Sequence, residues 1–205
     1  LCGLIAWTFT HRVTRPLREL ADIADSVAAG QIKEPIKVQG SGEIQEIARL
    51  FNSVIEGLSD SKKVHEIANS ITKSLSTQKE KAEAIFNWVQ DNITYVAFED
   101  GLGGFIPRSA SSVCDKRYGD CKDMANLLYE MLTHVGIESY RTWIGTRDRP
   151  YSYWEVPTPM VDNHMINTVI IENDTIFLDA TDSYVPYGMP SAFTQTKEAL
   201  LGIDK

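Results

Sequence analysis

The 205-residue sequence is poor in cysteine, and what it lacks excludes several classes of protein. Its three cysteines, Cys2, Cys114 and Cys121, are an odd number without framework spacing, so no disulfide scaffold is predicted. Cys114 falls in a short helix predicted at 109–117 and is expected to be a buried core residue. Lysine and arginine runs interleaved with aromatic residues are missing and the net charge is -8, so no nucleic-acid partner is predicted. Because the ligand spacings of zinc and calcium sites are also missing, we predict neither a metal nor a cofactor.

The sequence has no apolar run long enough to span a bilayer, which takes about 20 residues. Residues 1–10 are nevertheless apolar and end in aromatic residues, and Arg12, Arg15 and Arg18 follow them. We interpret residues 1–10 as the end of a transmembrane helix, although the start of a core helix is an alternative. Since arginines just beyond a span mark its cytoplasmic side, we predict a protein of the cell membrane whose remaining chain is cytoplasmic.

Two helices with a heptad pattern follow the basic segment. Their apolar residues recur at alternating steps of three and four, the spacing of helices that pack in a coiled-coil bundle: Val13, Leu17, Leu20, Ala24 and Val27, then Ile44, Ile47, Phe51, Val54 and Leu58. A connector at 30–42 joins them, and two such helices cannot bury both apolar seams alone. We therefore predict a homodimer that forms a parallel four-helix bundle.

Three short motifs make this region similar to a HAMP signalling domain over residues 11–58: Arg15-Pro16-Leu17, Gly42-Glu43-Ile44 and Leu50-Phe51-Asn52. An ordinary helical hairpin is the alternative. Residues 59–75 then predict a linker helix between two modules, in which His65 is expected to be solvated.

The segment around Cys121 combines the start of a helix with a potential nucleophile. Residues 122–134 carry apolar side chains at three- and four-residue steps, which predicts an amphipathic helix with one buried face. Asp120 is suited to cap this helix, and Gly119 to break the structure before it. Cys121 would then lie at a helix N-terminus, where unpaired backbone N–H groups and the helix dipole stabilise a thiolate. The alternative is that Cys121 is a small buried apolar residue.

A histidine and an aspartate follow Cys121 along the chain, each in a β-rich segment. His164 opens the run 164–171, and Asp179 lies in the run 176–181. The order Cys, His, Asp is what a thiol nucleophile with a base and an orienting carboxylate needs, provided that the fold brings the three together.

Three motifs resemble the core motifs of the transglutaminase-like superfamily, above all of its bacterial and archaeal branch: Tyr-Gly-Asp-Cys-Lys-Asp at 118–123, Asn-His at 163–164 and Leu-Asp-Ala-Thr at 178–181. The resemblance spans about 76–190. It implies an α+β fold in which residues 76–205 form a papain-like domain, with a Cys-bearing helix packed on a small antiparallel sheet that carries His and Asp. Many relatives of this domain act outside the inner membrane, so the side of the membrane stays open.

These residue types, if in contact, imply a chemistry. Cys121 would attack an amide or ester carbonyl, His164 would take and return the proton, and Asp179 would fix the imidazole tautomer. The backbone N–H of Cys121 is one expected oxyanion donor, and a second is expected near Arg108. The expected substrate is a protein or peptide, and the sequence does not choose between hydrolysis and transamidation. The alternative is a catalytically silent domain that serves as a signalling or peptide-binding module.

The hairpin between His164 and Asp179 presents a geometric problem. A turn at Asn173-Asp174 places Asp179 opposite Thr168. His164 would then be four residues away, roughly 13 Å along the strand, which is too far for a hydrogen bond. Either a shifted turn or a β-bulge would be needed to change the register.

Two further segments are candidates for the walls of a cleft. The glycine-rich stretch Gly101–Gly104 is predicted to be a flexible wall. The loop 147–162 is rich in proline, tyrosine and tryptophan and longer than most connections, so it is either a substrate-binding loop or a mobile lid without specificity.

Overall fold

The computed structural model describes residues 61–97, 106–155 and 158–203. The chain divides into two units, Leu1–Asp60 and Ser61–Lys205, and every described residue belongs to the second. The predictions for residues 1–10, for the two heptad helices and their dimer, and for the glycine-rich stretch at 101–104 therefore lie outside the described residues.

The described part of the second unit combines helices with a small antiparallel sheet. In chain order its elements are α1 (61–72), α2 (Gln78–Asn92), β1 (Thr94–Tyr95), α3 (Ala110–Lys116), β2 (Tyr118–Gly119), α4 (Cys121–His134), β3 (Glu138–Ile144), a 3-10 helix (Pro159–Val161), β4 (His164–Ile171), β5 (Asp174–Leu178) and β6 (Ala199–Leu201). The four-stranded sheet has the order β5-β4-β3-β6, and β1 and β2 form a separate parallel pair. The predicted α+β fold class is confirmed.

Short side chains cap three helices at their N-termini, and the cap at Asp120 is one that the sequence predicts. Thr77 accepts the backbone N–H of Glu80, whose side chain accepts that of Thr77, so α2 begins with a capping box. Ser109 caps α3, and Asp120 caps α4. Each cap satisfies a backbone donor that has no partner inside its helix.

Helix α4 lies at the centre of the apolar core. It packs against β3 and β4 and against the helices α2 and α3. Its amphipathic pattern explains this position, because the apolar residues share one face and that face is fully buried. The largest fully buried side chains of the core include Met124, Leu127, Leu128, Met131 and Leu132 of α4 and Ile85, Phe86 and Val89 of α2.

The predicted turn of the β4–β5 hairpin was wrong by one residue. Ile171 pairs with Asp174, so the two turn residues are Glu172 and Asn173, both with positive φ, at 53° and 70°. Positive φ at both positions matches the twist of the flanking strands in a two-residue hairpin turn. Moving the turn by one residue changes the strand register by two, and Asp179 thereby comes within reach of His164.

Helix α1 packs on the same core and contacts the far end of α4. Val64 and Ala68 are fully buried. The ring of His65 stacks on that of His134, the last residue of α4, with centroids 3.8 Å apart and an interplanar angle of 7°. His134 Nε2 lies 3.1 Å from Oδ1 of Asn69. His65 is partly exposed, and its stacking partner comes from a distant helix that the local pattern does not reveal.

Candidate active site

Cys121 is the first residue of α4, and its side chain is half-buried. Asp120 accepts the backbone N–H of Asp123, and the Asp123 carboxylate accepts the backbone N–H of Asp120. Gly119 makes this close approach possible, since a Cβ there would lie 2.8 Å from the Cβ of Asp123. The thiol is therefore held at the positive end of a well-capped helix.

A charged network fixes this end of the helix. The Arg108 side chain donates to Asp123 Oδ2 through Nε at 2.9 Å and Nη2 at 2.7 Å. Burial alone would raise the pKa of the Asp123 carboxyl, but the hydrogen bonds from Arg108 outweigh it and lower that pKa. The buried Lys122 ammonium pairs with Asp120. Both carboxylates of the capping box thus have a cationic partner.

His164 and Asp179 are in direct contact at one end of the sheet. His164 opens β4 and Asp179 follows β5, and His164 Nε2 lies 3.0 Å from Asp179 Oδ2. Both residues are buried, with exposed fractions of 5% and 2%. The other Asp179 oxygen accepts the hydroxyl of Thr181 at 2.6 Å and its backbone N–H at 3.2 Å. Burial raises the pKa of Asp179, but the hydrogen bonds from His164 and Thr181 lower it overall.

Cys121 is a second polar neighbour of the same imidazole. Burial by itself lowers the pKa of His164, but the hydrogen bonds with Asp179 and Cys121 raise it to about 9. The structure thus joins two of the three predicted site residues, His164 and Asp179, by a hydrogen bond, and Cys121 is among the groups that raise the pKa of His164.

Arg108 does not provide the second oxyanion donor expected near it. Its backbone N–H donates to Asp123 Oδ1 at 2.7 Å, and its carbonyl accepts from Asn126. Arg108 instead organises the helix end that carries Cys121. Residues 98–105, which precede it, lie outside the described part of the chain.

Cys114 is a core residue, as predicted. It lies inside α3 with 2% of its surface exposed. Burial raises the pKa of its thiol to about 11.

A cavity of about 460 Å³ opens beside His164. Its lining includes Tyr95, Asp182, Tyr184 and Phe193, none of which the sequence singled out. The Phe193 ring meets the His164 imidazole edge-on, with centroids 5.5 Å apart. These residues come from separate segments, so the only sequence signal was the closeness of Asp182 and Tyr184 to the Leu-Asp-Ala-Thr motif.

The loop at 147–162 is braced against the residues that precede His164. Tyr153 donates its hydroxyl to Asp162 Oδ2 at 2.6 Å, and Tyr151 donates to the same carboxylate. None of the described residues of the loop itself lines the cavity, whereas Thr146 and Asn163, which flank the loop, do. Substrate binding by this loop stays a prediction.

The fold thus has a cysteine at a helix N-terminus and a hydrogen-bonded histidine and aspartate at one end of a small sheet. Residues 65–180 match the family profile of the transglutaminase-like superfamily, and the chain belongs to that superfamily. Residues 8–60 match the HAMP domain, so the predicted order of the two modules is confirmed.

Solved structures show weak similarity to the chain. A candidate protease from Parabacteroides distasonis has a TM-score of 0.48 and 17% identity, with 58% of this chain and 23% of that one covered. A candidate cysteine protease from Cytophaga hutchinsonii has a TM-score of 0.45 and 20% identity, with 68% and 46% covered. EGTA-treated LapG from Legionella pneumophila has a TM-score of 0.45 and 13% identity, with 72% of each chain covered. The chain thus spans less than half of the first two proteins.

No curated protein sequence matches the chain. Among the described residues, no helix has both the length and the apolar character that crossing a bilayer requires.

Proposed function

We propose that the chain is a transglutaminase-like cysteine enzyme that transfers acyl groups from amide bonds through a thioester. The observation that supports this most directly is the buried hydrogen bond of 3.0 Å between His164 Nε2 and Asp179 Oδ2. The start of α4 at Cys121 supports it further, since the proposed reaction needs a thiol at a capped helix N-terminus and an imidazole that a carboxylate orients.

The proposed reaction begins from the ion pair of the Cys121 thiolate and the His164 imidazolium. The sulfur attacks the carbonyl carbon, and the carbonyl oxygen takes the negative charge. The backbone N–H of Cys121, which intrahelical bonding does not use, is the proposed donor to that oxygen. When the C–N bond breaks, His164 gives its proton to the leaving amine, and the acyl group remains on sulfur as a thioester.

The second half of the reaction resolves the thioester. A water molecule or an amine loses a proton to neutral His164 and attacks the thioester carbonyl, and the Cys121 thiolate leaves. Water gives hydrolysis and an amine gives transamidation. Asp179 holds the imidazole and balances its charge in both halves.

We further propose that the HAMP module regulates this chemistry in a homodimer at the membrane. The HAMP match ends at residue 60, immediately before α1, and α1 belongs to the core of the catalytic unit. The stack of His65 on His134 connects α1 with the helix whose first residue is Cys121. A change in α1 thus has a direct physical route to the nucleophile.

Acylation by p-nitrophenyl acetate tests the proposed nucleophile without knowledge of the natural substrate. The full chain should release a burst of nitrophenol that approaches one equivalent per chain, because acylation of an activated thiol precedes slower deacylation. Mass spectrometry should locate the acetyl group on Cys121. Added glycine methyl ester should accelerate the decay of the acyl-enzyme if an amine is the preferred acceptor, and should leave it unchanged if water is.

The controls separate an enzyme from a silent domain. Cys121→Ala should abolish the burst, whereas Cys114→Ala should retain it. An equal burst from wild type and Cys121→Ala would eliminate Cys121 as the nucleophile. A folded wild type without any burst would favour the signalling or peptide-binding alternative.

A further inference from the structure

The cavity beside His164 has the size and walls of a side-chain subsite. Its volume of about 460 Å³ falls in the range of small-molecule sites. Three aromatic residues, Tyr95, Tyr184 and Phe193, contribute to its lining. Tyr184 is 94% exposed and Phe193 41% exposed, so both offer ring surface to an incoming group.

Apart from the imidazole of His164, the charge of the described cavity lining is negative. Asp182 contributes a carboxylate, and the described lining includes neither lysine nor arginine. The positive charge of His164 is already matched by Asp179 at 3.0 Å. An entering cation would therefore find a carboxylate without a cationic partner in the described lining.

The turn that carries Asp182 and Tyr184 is held in place before any ligand binds. The Tyr184 backbone N–H donates to Asp182 Oδ1 at 2.9 Å. Gln90, on α2, donates to the Asp182 carbonyl at 2.6 Å and to the Val185 carbonyl at 2.8 Å. The backbone of this turn is thus anchored to a helix of the core, which reduces the ordering cost of binding.

The carboxylate and the aromatic rings of the lining together favour one class of ligand over the others. An anion would meet Asp182 without a lysine or arginine in the described lining to bind it, and an apolar group would desolvate the carboxylate without compensation. A cation gains both the carboxylate and the electron-rich ring faces.

We propose that this cavity is the subsite for a basic side chain, lysine or arginine, of the peptide whose amide bond Cys121 attacks. Asp182 and Tyr184 are its specificity-determining residues. The subsite binds the cation and does not react with it. Its location next to the cleaved bond rests on the proposed function.

Paired esters of arginine and citrulline provide the test, because citrulline replaces the guanidinium group with a neutral urea of nearly the same shape. In the full chain, kcat/KM for N-acetyl-arginine ethyl ester should exceed that for the citrulline ester about tenfold. This ratio should fall towards one in Asp182→Asn and in Tyr184→Ala. It should persist in Tyr184→Phe, which keeps the ring, and in Asp174→Asn, which removes an exposed carboxylate outside the described lining. Equal rates for the two wild-type esters, or an unchanged ratio in Asp182→Asn, would overturn the subsite.

A binding measurement keeps the subsite and the catalytic proposal separable. Saturation-transfer NMR on the full Cys121→Ala chain should detect N-acetyl-arginine amide but not its citrulline counterpart, and Asp182→Asn should remove that signal. This result together with inert esters would support the subsite while contradicting the catalytic role of Cys121. Equal NMR signals from the two amides would overturn the subsite even if Cys121 is acylated as proposed.

Discussion

Cys114 and Cys121 lie on neighbouring helices, yet their thiols have opposite surroundings. Cys114 is inside α3 and 2% exposed, and burial raises the pKa of its thiol to about 11. Cys121 is half-buried at the first position of α4, where it shares a hydrogen bond with His164. One sulfur is surrounded by core, whereas the other faces an imidazole and the start of a helix.

The comparison teaches that two cysteines on adjacent helices differ in their position on the helix and in their polar neighbours, and these are the differences that the proposed reactivity of Cys121 requires. The chain builds the second environment with charges: the guanidinium of Arg108 on Asp123 and the ammonium of Lys122 on Asp120. Cys114 has no comparable arrangement, because α3 begins with the neutral cap Ser109.

The largest expected effect is on the reactivity of Cys121 with iodoacetate. His164→Gln should slow this alkylation about 10²- to 10³-fold, since the variant removes the proton acceptor and the positive charge that attracts the anionic reagent. The wild-type rate should remain high up to pH about 9 and fall above it, because the pKa of His164 is raised to about 9. Rates measured across pH, with the modified cysteine located by peptide mapping, check both statements.

Stability should change over the same pH window. His164 titrates at about 6.5 when unfolded, so its raised folded pKa contributes stability that is complete below that value and is lost as pH rises through about 9.

Cys114→Ala serves as the control for the alkylation experiment and should leave the alkylation profile unchanged. A profile without a decline near pH 9, or equal rates in wild type and His164→Gln, would contradict the ion pair.

A smaller effect is expected from the charges that build the Cys121 end of α4. Asp123→Asn should cost about 2–4 kcal/mol of unfolding free energy, because it leaves the Arg108 fork facing a neutral amide at a buried position. The loss should diminish at acidic pH, since the lowered pKa of Asp123 contributes stability that disappears as the wild-type carboxylate is protonated. Urea unfolding followed by tryptophan fluorescence measures this loss of unfolding free energy at each pH.

The matched control is the same substitution in an exposed pair. Asp115 pairs with Lys63, and both side chains are more than half exposed. Asp115→Asn should therefore cost less than about 1 kcal/mol. Equal costs for the two variants would show that the pair of Arg108 and Asp123 has no special part in stability.

The features that sequence reasoning predicted correctly have determinants that are close together in the chain. The start of α4 needs only the cap Asp120, which directly precedes Cys121. The apolar face of α4 follows from the period of its own residues. Such features depend on local steric and hydrogen-bonding rules, so they can be predicted from a single sequence.

The features that sequence reasoning missed depend on small backbone choices or on distant partners. Glu172 adopts a positive φ that its residue type does not favour, and this choice moves the hairpin register by two. The stack of His65 on His134 joins two helices that are far apart in sequence. The cavity lining likewise gathers Tyr95, Tyr184 and Phe193 from three segments, which only the folded topology brings together.

The smallest expected effect on stability comes from replacing each cysteine with serine, and the effects on stability and on acylation should be opposite at the two positions. Cys114→Ser should cost about 1–2 kcal/mol of unfolding free energy, because it places a hydroxyl group in the apolar core around α3, and should leave the nitrophenol burst intact. Cys121→Ser should change stability by no more than about 0.5 kcal/mol, since this side chain is half-buried beside polar groups, and should remove the burst. Urea unfolding and the acylation assay, run on both variants, measure the two quantities. A large stability loss in Cys121→Ser would mean that Cys121 is a packing residue like Cys114. Only a buried apolar contact of its sulfur would make Cys121→Ser as destabilising as Cys114→Ser.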